Sequence, residues 1–177
     1  MRNKPMGAKK TEPAAILIRP ATTDDSPLLM KAIIGLAAHV GEADGIACTE
    51  DDIRRFGFGE KPAFEAVIAE IDGAFAGMCL FFPIFSTWYG RPGVFVQDLF
   101  VDQQFRSFGI GERLLRHVAR LCRDRGGVYI RLAVDEDNAR AHPFYTRLGF
   151  AWTKDQRSYI AGGPTFQALS QTTGEPE

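Results

Sequence analysis

The stretch Gln97-Asp98-Leu99-Phe100-Val101-Asp102-Gln103-Gln104-Phe105-Arg106-Ser107-Phe108-Gly109-Ile110-Gly111-Glu112-Arg113-Leu114-Leu115 decides the reading of this sequence. An apolar strand ends in polar residues, and an Arg-x-x-Gly-x-Gly turn then opens an amphipathic helix. Glycines let another backbone or a ligand come close, and the first N–H groups of a helix have no partner within it. Such an N-terminus favours a diphosphate, and Arg106 adds a fixed charge with donors suited to phosphate oxygens. The Gly-Lys-Ser/Thr ending of a nucleotide-binding P-loop is missing. So is the third glycine of a dinucleotide fingerprint, because position 114 is Leu. The turn reads as a phosphate cradle, or as glycines that only permit a tight strand-to-helix connection.

Upstream, Gly93–Val101 is a strand rich in Val and Phe. Phe64–Ile71 and Ala74–Phe85 are strand-like runs joined by Asp72-Gly73, a strong hairpin signal. Before them lie a short strand, Ile16–Arg19, and a helix whose apolar residues run from Leu28 to Ala37 behind a Thr22…Asp25 cap. A second helix begins at Thr49-Glu50-Asp51-Asp52, with Ile53 and Phe56 beneath it and Gly57 as its end. Downstream, Gly109–Arg125 is amphipathic and Gly126-Gly127 closes it. Val128–Val134 reads as a strand, Ala139–Leu148 as a helix, and Phe150 onward as a final pair of strands. This order predicts an α/β domain with a mixed, mostly antiparallel sheet and flanking helices.

With 177 residues the chain fits one domain, expected at 14–161, with an unstructured arm at 1–13 and a loose tail at 162–177. A net charge of −1 gives no global field for nucleic acid or an anionic membrane. Apolar runs stop well short of the roughly 20 residues that span a bilayer, and no secretory signal is evident, so a cytoplasmic protein is expected. Cys48, Cys79 and Cys122 are odd in number and widely spaced, which suits neither a disulfide framework nor a zinc site. His39, His117 and His142 have no metal-ligand spacing either. No metal is expected.

The Arg-x-x-Gly-x-Gly turn after Leu99-Phe100-Val101 resembles the pyrophosphate loop of the GNAT superfamily of acyl-CoA N-acyltransferases. The likeness runs from Ile18-Arg19-Pro20-Ala21-Thr22 to Phe144-Tyr145-Thr146-Arg147-Leu148-Gly149-Phe150. Within the superfamily the chain is most similar to diamine (spermidine/spermine) and thialysine N-acetyltransferases, through Thr49–Pro62 and Ser86-Thr87-Trp88-Tyr89-Gly90-Arg91-Pro92-Gly93. The resemblance implies a splayed central strand pair that admits acetyl-CoA. Leu99, Phe100 and Val101 would offer backbone groups to the pantetheine arm. Arg106, Ser107, Phe108, Gly109, Ile110 and Gly111 would hold the pyrophosphate. Asn138 would bond the cofactor near its thiol end, and it is equally suited to cap the next helix. A homodimer acting on a small-molecule amine is also implied.

By the same resemblance Tyr145 is the general acid. Attack of a neutral amine on the thioester expels a thiolate, and a phenol near that sulfur stays protonated at neutral pH and can donate to it. A core aromatic beside Phe144 is the other reading. The resemblance also puts Gln97-Asp98 where the diamine enzymes carry a Glu-Asp pair, so one of two carboxylates is missing. His39 is a candidate base or a surface residue at a helix end. Trp88 and Tyr89 would wall the amine pocket or pack as aromatics. A protein or peptide acetyltransferase and a non-catalytic acyl-CoA-binding module are the alternative functions.

Overall fold

The computed structural model describes residues 15–41, 45–153 and 157–171, the side chains at 39 and 40 excepted. The expected arm at 1–13 and the end of the tail lie outside them. The chain forms two compact units that divide between Asp135 and Glu136, inside the span expected as one domain.

The first unit contains β1 (Ile16–Pro20), α1 (Ser26–Val40), α2 (Glu50–Phe58), β2 (Glu65–Ile71), β3 (Ala74–Ser86), β4 (Arg91–Val101), α3 (Ile110–Asp124) and β5 (Ile130–Leu132). The strands form one sheet in the order β1-β2-β3-β4-β5. The first four pair antiparallel and β5 pairs parallel to β4. Asp72 and Gly73 take φ values of +50° and +79° in the two-residue turn between β2 and β3, which suits the twist of a tight hairpin.

Residues 66–69 of β2 are buried without interruption, because helices cover both faces of the sheet. On one face α1 and α2 bring Leu29, Ala32 and Ile53 against Ala66, Ile68, Met78 and Leu80, with Phe100 at the margin. On the other, α3 buries Ile110, Leu114, Leu115, Val118 and Cys122. The corner between β1 and α1 is tied by Arg19, whose guanidinium donates to Asp25 at 2.7 and 2.9 Å and to Glu70. Asp25 also accepts from the Thr22 N–H at 2.7 Å, closing the expected capping box.

Gly57 does not end α2. The helix runs through it to Phe58, and a Cβ at Gly57 would stand 2.7 Å from the Phe64 ring. The glycine there admits an aromatic, and Phe56 beside it is largely exposed. β5 is three residues long where Val128–Val134 was expected.

The second unit contains α4 (Ala141–Arg147) and α5 (Gly163–Ser170). The final pair of strands expected from Phe150 is absent among the described residues. A strand needs a ladder partner, and Phe150, Trp152, Tyr159 and Ile160 supply β-type side chains without one. α5, with Pro164 in its first turn, stands where a loose tail was expected.

Candidate functional site

β4 carries a bulge that aims the site. Leu80 pairs with Asp98 while the next residue, Phe81, pairs with Val96, so Gln97 is the extra residue. On a regular strand, positions 94, 96, 98 and 100 would share one face. The bulge separates them. Val94 and Val96 turn to the α3 side and are buried, whereas Asp98 and Phe100 turn to the α1 side. Gln97 is exposed and Asp98 half-buried.

Past the bulge β4 loses its parallel neighbour. Pairing with β5 covers only Val94–Val96, and β4 continues to Val101 against β3 alone. This is the splayed pair. The Asp102 N–H donates to Ala76 on β3 at 3.0 Å, so alternation directs Phe100 toward β3 and turns the backbone groups of Leu99 and Val101 to the open edge. The Phe100 side chain lies under α1, where a Cβ on Gly35 would come 2.7 Å from its ring.

The glycine turn follows directly. Asp102 accepts from the Gln104 N–H in a 3-10 turn, Gln103–Phe105. Ser107 and Gly109 then adopt φ of +78° and +72°. A non-glycine residue held in the left-handed region costs about 1–3 kcal/mol and persists where the surroundings impose it. A Cβ on Gly109 would meet nothing within 4 Å, so the space above the turn is open. Gly109 is the N-cap of α3 and brings no side chain to the first N–H groups. Ile110 is buried and anchors the turn from below. Arg106 donates its Nε to the Val101 carbonyl at 3.4 Å. This link ties the loop to the strand end and leaves the two terminal nitrogens without an intramolecular partner among the described residues. Open donors, an open approach and a guanidinium fit a diphosphate.

Burial pushes the Asp98 carboxyl above its ordinary range. The Cys48 thiol is also raised, first by partial burial of its sulfur and then by the charges of Asp52 and Asp98. The segment before α2 therefore shares an electrostatic neighbourhood with Asp98. The sequence gives Cys48 and Asp52 no role at this site, and no local pattern signals the approach of two segments so distant in the chain. Cys79, fully buried, is pushed up to about 12.

The remaining candidates lie elsewhere. His39 is in the last turn of α1, a turn beyond Gly35. Trp88 is 94% exposed at the β3–β4 turn, and Tyr89 beside it meets Tyr129 at 5.1 Å between ring centroids. From Arg91 to Asp98 β4 runs seven residues at about 3.3 Å each, roughly 23 Å, so the turn that carries Trp88 lies at the far end of the strand from Asp98. In the second unit, Asn138 accepts through Oδ1 from the N–H of Ala141, the first residue of α4, at 3.1 Å, while Arg140 stands in the N-cap position. Tyr145 is held edge-on by Phe144 at 5.0 Å and Phe150 at 5.6 Å. Gly149, with φ of +88°, lets the chain reverse so that the Phe150 N–H returns to the Tyr145 carbonyl. The Phe-Tyr-x-x-x-Gly-Phe motif is thus a clamp on the tyrosine ring.

The profile described as the acetyltransferase (GNAT) family matches residues 29–150. The chain is 35% identical over 144 residues to a thialysine N-epsilon-acetyltransferase of Sus scrofa, covering 77% of this chain and 84% of that protein. The Mus musculus thialysine N-epsilon-acetyltransferase is 34% identical over 91% of this chain and 99% of its own length. Among solved structures, an integron cassette protein from the mobile metagenome of V. cholerae superposes with a TM-score of 0.74 over 89% of this chain and 98% of its own, at 19% identity, a likeness of fold. With the open edge of β4, the glycine turn and these relatives in agreement, the chain belongs to the GNAT acetyltransferase family.

Proposed function

We propose that this acetyltransferase moves the acetyl group of acetyl-CoA onto the terminal primary amine of a small amino-acid-like molecule of the thialysine type. Asp98 carries the reading. It is a carboxylate re-aimed by the bulge, partly withdrawn from water, and without an ion pair among the described residues. The acids nearest in sequence to Cys48 are engaged locally: Glu50 and Asp51 with Arg54, and Asp52 with the Thr49 N–H and hydroxyl. A desolvated carboxylate without a cation gains most from an incoming ammonium. The thialysine relatives support the same substrate class.

Acetyl-CoA supplies the activated thioester, held by the Arg106–Gly111 turn and by the Leu99 and Val101 edge. Asp98 orients the amine and draws its proton away through water, so that nitrogen attacks as the free base. Tyr145 would give its phenolic proton to the departing sulfur as the C–S bond breaks and the C–N bond remains, and the surplus proton of the amide nitrogen would restore the phenol through water. The protein acts as a cytoplasmic homodimer. Free Cys79 and Cys122 suit a reducing compartment, and exposed Phe85, Trp88 and Tyr89 give the hairpin an apolar surface for a second copy.

Thiol release from acetyl-CoA over thialysine, lysine, ornithine, a monoamine, spermine and a lysine-containing peptide tests the proposal. Thialysine or ornithine should give the highest kcat/KM. A preference for the peptide, or acetyl-CoA binding without transfer to any amine, would overturn it. Tyr145→Phe keeps the ring clamp and should lower single-turnover transfer by about 10²–10⁴-fold. Equal single-turnover rates would leave Tyr145 a packing aromatic.

A further inference from the structure

Away from the open edge of β4, at the other side of the sheet, the flank of α3 forms a groove with β1. Its volume is about 340 Å³ and its lining is Ile16, Ile18, Arg113, Arg116, His117 and Arg120. Ile16 pairs with Ile71 and Ile18 with Ala69, so both isoleucines face α3 and make an apolar floor. The wall is cationic. Arg113, Arg116 and Arg120 span about 10 Å at 1.5 Å per residue.

Among the described residues one of these charges is offset, by Glu112, whose carboxylate accepts from Arg116 at 2.8 Å. Arg113 and Arg120 make no ion pair among the described residues. Like charges three and four residues apart destabilise a helix, and a merely solvated face would mix the two signs. The molecule as a whole carries a net charge of −1, so the row is a local feature and does not follow from a basic composition.

We propose that this groove is a second ligand site, distinct from the acetyl-CoA site, that takes a small polyanion bearing two or three phosphate or carboxylate groups along one edge. Guanidinium groups in a row match such an edge, and the isoleucine floor excludes water behind it. The site begins at Arg113, in the first turn of α3, and continues two turns further from the glycine turn. A ligand there contacts none of the Arg106–Gly111 backbone. His117 lies within the row and reports occupancy. Its imidazole is held below the ordinary histidine value, first by burial and then by the Arg120 charge. The charged groups that line the groove with it are Arg113, Arg116 and Arg120 on its own helix, Glu112 being held by Arg116, and β1 contributes Ile16 and Ile18.

The test is a titration of the full chain with tripolyphosphate in 0.15 M salt, followed by NMR of the His117 ring and of the backbone amides. Binding at the groove should raise the His117 pKa by about half a unit or more, as a neighbouring anion favours the imidazolium. Arg116→Gln with Arg120→Gln should weaken binding by at least about fivefold, while acetyl-CoA affinity and acetyl transfer stay at wild-type values. Both residues are exposed, so folding should survive. Shifts confined to the Arg106–Gly111 amides, an unmoved His117, or equal affinity in the double variant would each overturn the assignment.

Discussion

Replacing Asp25 by Asn tests how the corner that launches α1 is held. Its carboxylate receives two N–H bonds from Arg19, the Thr22 N–H at 2.7 Å and the Thr22 hydroxyl at 3.0 Å. The first cause, the Arg19 guanidinium, lowers its pKa from 3.8 to about 2. At about 1.4 kcal/mol per unit the charged form contributes about 2.5 kcal/mol. The Asp25 side chain is only 8% exposed, but Arg19 is 32% exposed and solvent weakens its half of the pair. About 2 kcal/mol is therefore the expected loss in urea unfolding near neutral pH. That is less than the about 3–5 kcal/mol lost when one partner of a fully buried ion pair is removed, because Glu70 still accepts from Arg19 at 2.7 and 3.1 Å. The depressed folded pKa fixes the sign. The contribution is full above the unfolded value of 3.8 and disappears as pH falls toward 2. The gap between wild type and Asp25→Asn should then shrink to about half by about pH 3. A gap that stays constant with pH would mean that shape, not charge, holds the corner.

Gly109→Val places a branched side chain at φ of +72° in the open approach to the turn, and calorimetry should show acetyl-CoA affinity reduced by about tenfold or more. Arg106→Gln should cost about 1.5–3 kcal/mol of the same affinity; unchanged binding in both variants would remove the turn from the cofactor site. Native-state thiol labelling should modify Cys48 and spare buried Cys79 and Cys122 until the chain unfolds, and rapid labelling of all three would contradict the packing beneath α3 and β3. Gln97→Glu should improve spermine relative to a monoamine, whereas a wild-type protein already strongly favouring spermine would refute the charge argument.

Local chemistry made several features readable. Asp72-Gly73 admits the positive φ values a tight hairpin needs, Thr22 and Asp25 close a capping box, and Gly109 falls where the backbone turns left-handed. The bulge at Gln97 was not readable. Val94-Phe95-Val96-Gln97-Asp98-Leu99-Phe100-Val101 is nearly all apolar, so alternation cannot reveal which face each side chain takes, and the one-residue offset is set by pairing with Leu80 and Phe81. Gly35 and Gly57 look like weak points or ends of helices. Each instead admits a phenylalanine ring from elsewhere in the chain. The short β5 and the absence, among the described residues, of a following strand pair are not readable from sequence, because propensity says nothing about whether an edge is offered.

The charge at the bulge bears on which amine fits. Gln97 brings no charge, and the acids at the start of α2 are committed to Arg54 and Thr49. Among the described residues there, Asp98 is then the half-buried acid with neither an ion pair nor a capping partner. One desolvated carboxylate matches one ammonium. A substrate with a second, distant ammonium would have to leave it in water or desolvate it without a partner, and either course returns part of what Asp98 gains. An amino-acid-like molecule escapes this penalty, because its second amine lies beside its own carboxylate and the pair can remain hydrated at the mouth. On the proposed reading the bulge joins fold to selectivity: the extra residue turns Asp98 toward α1, and the neutral side chain beside it would limit how much positive charge the site can hold.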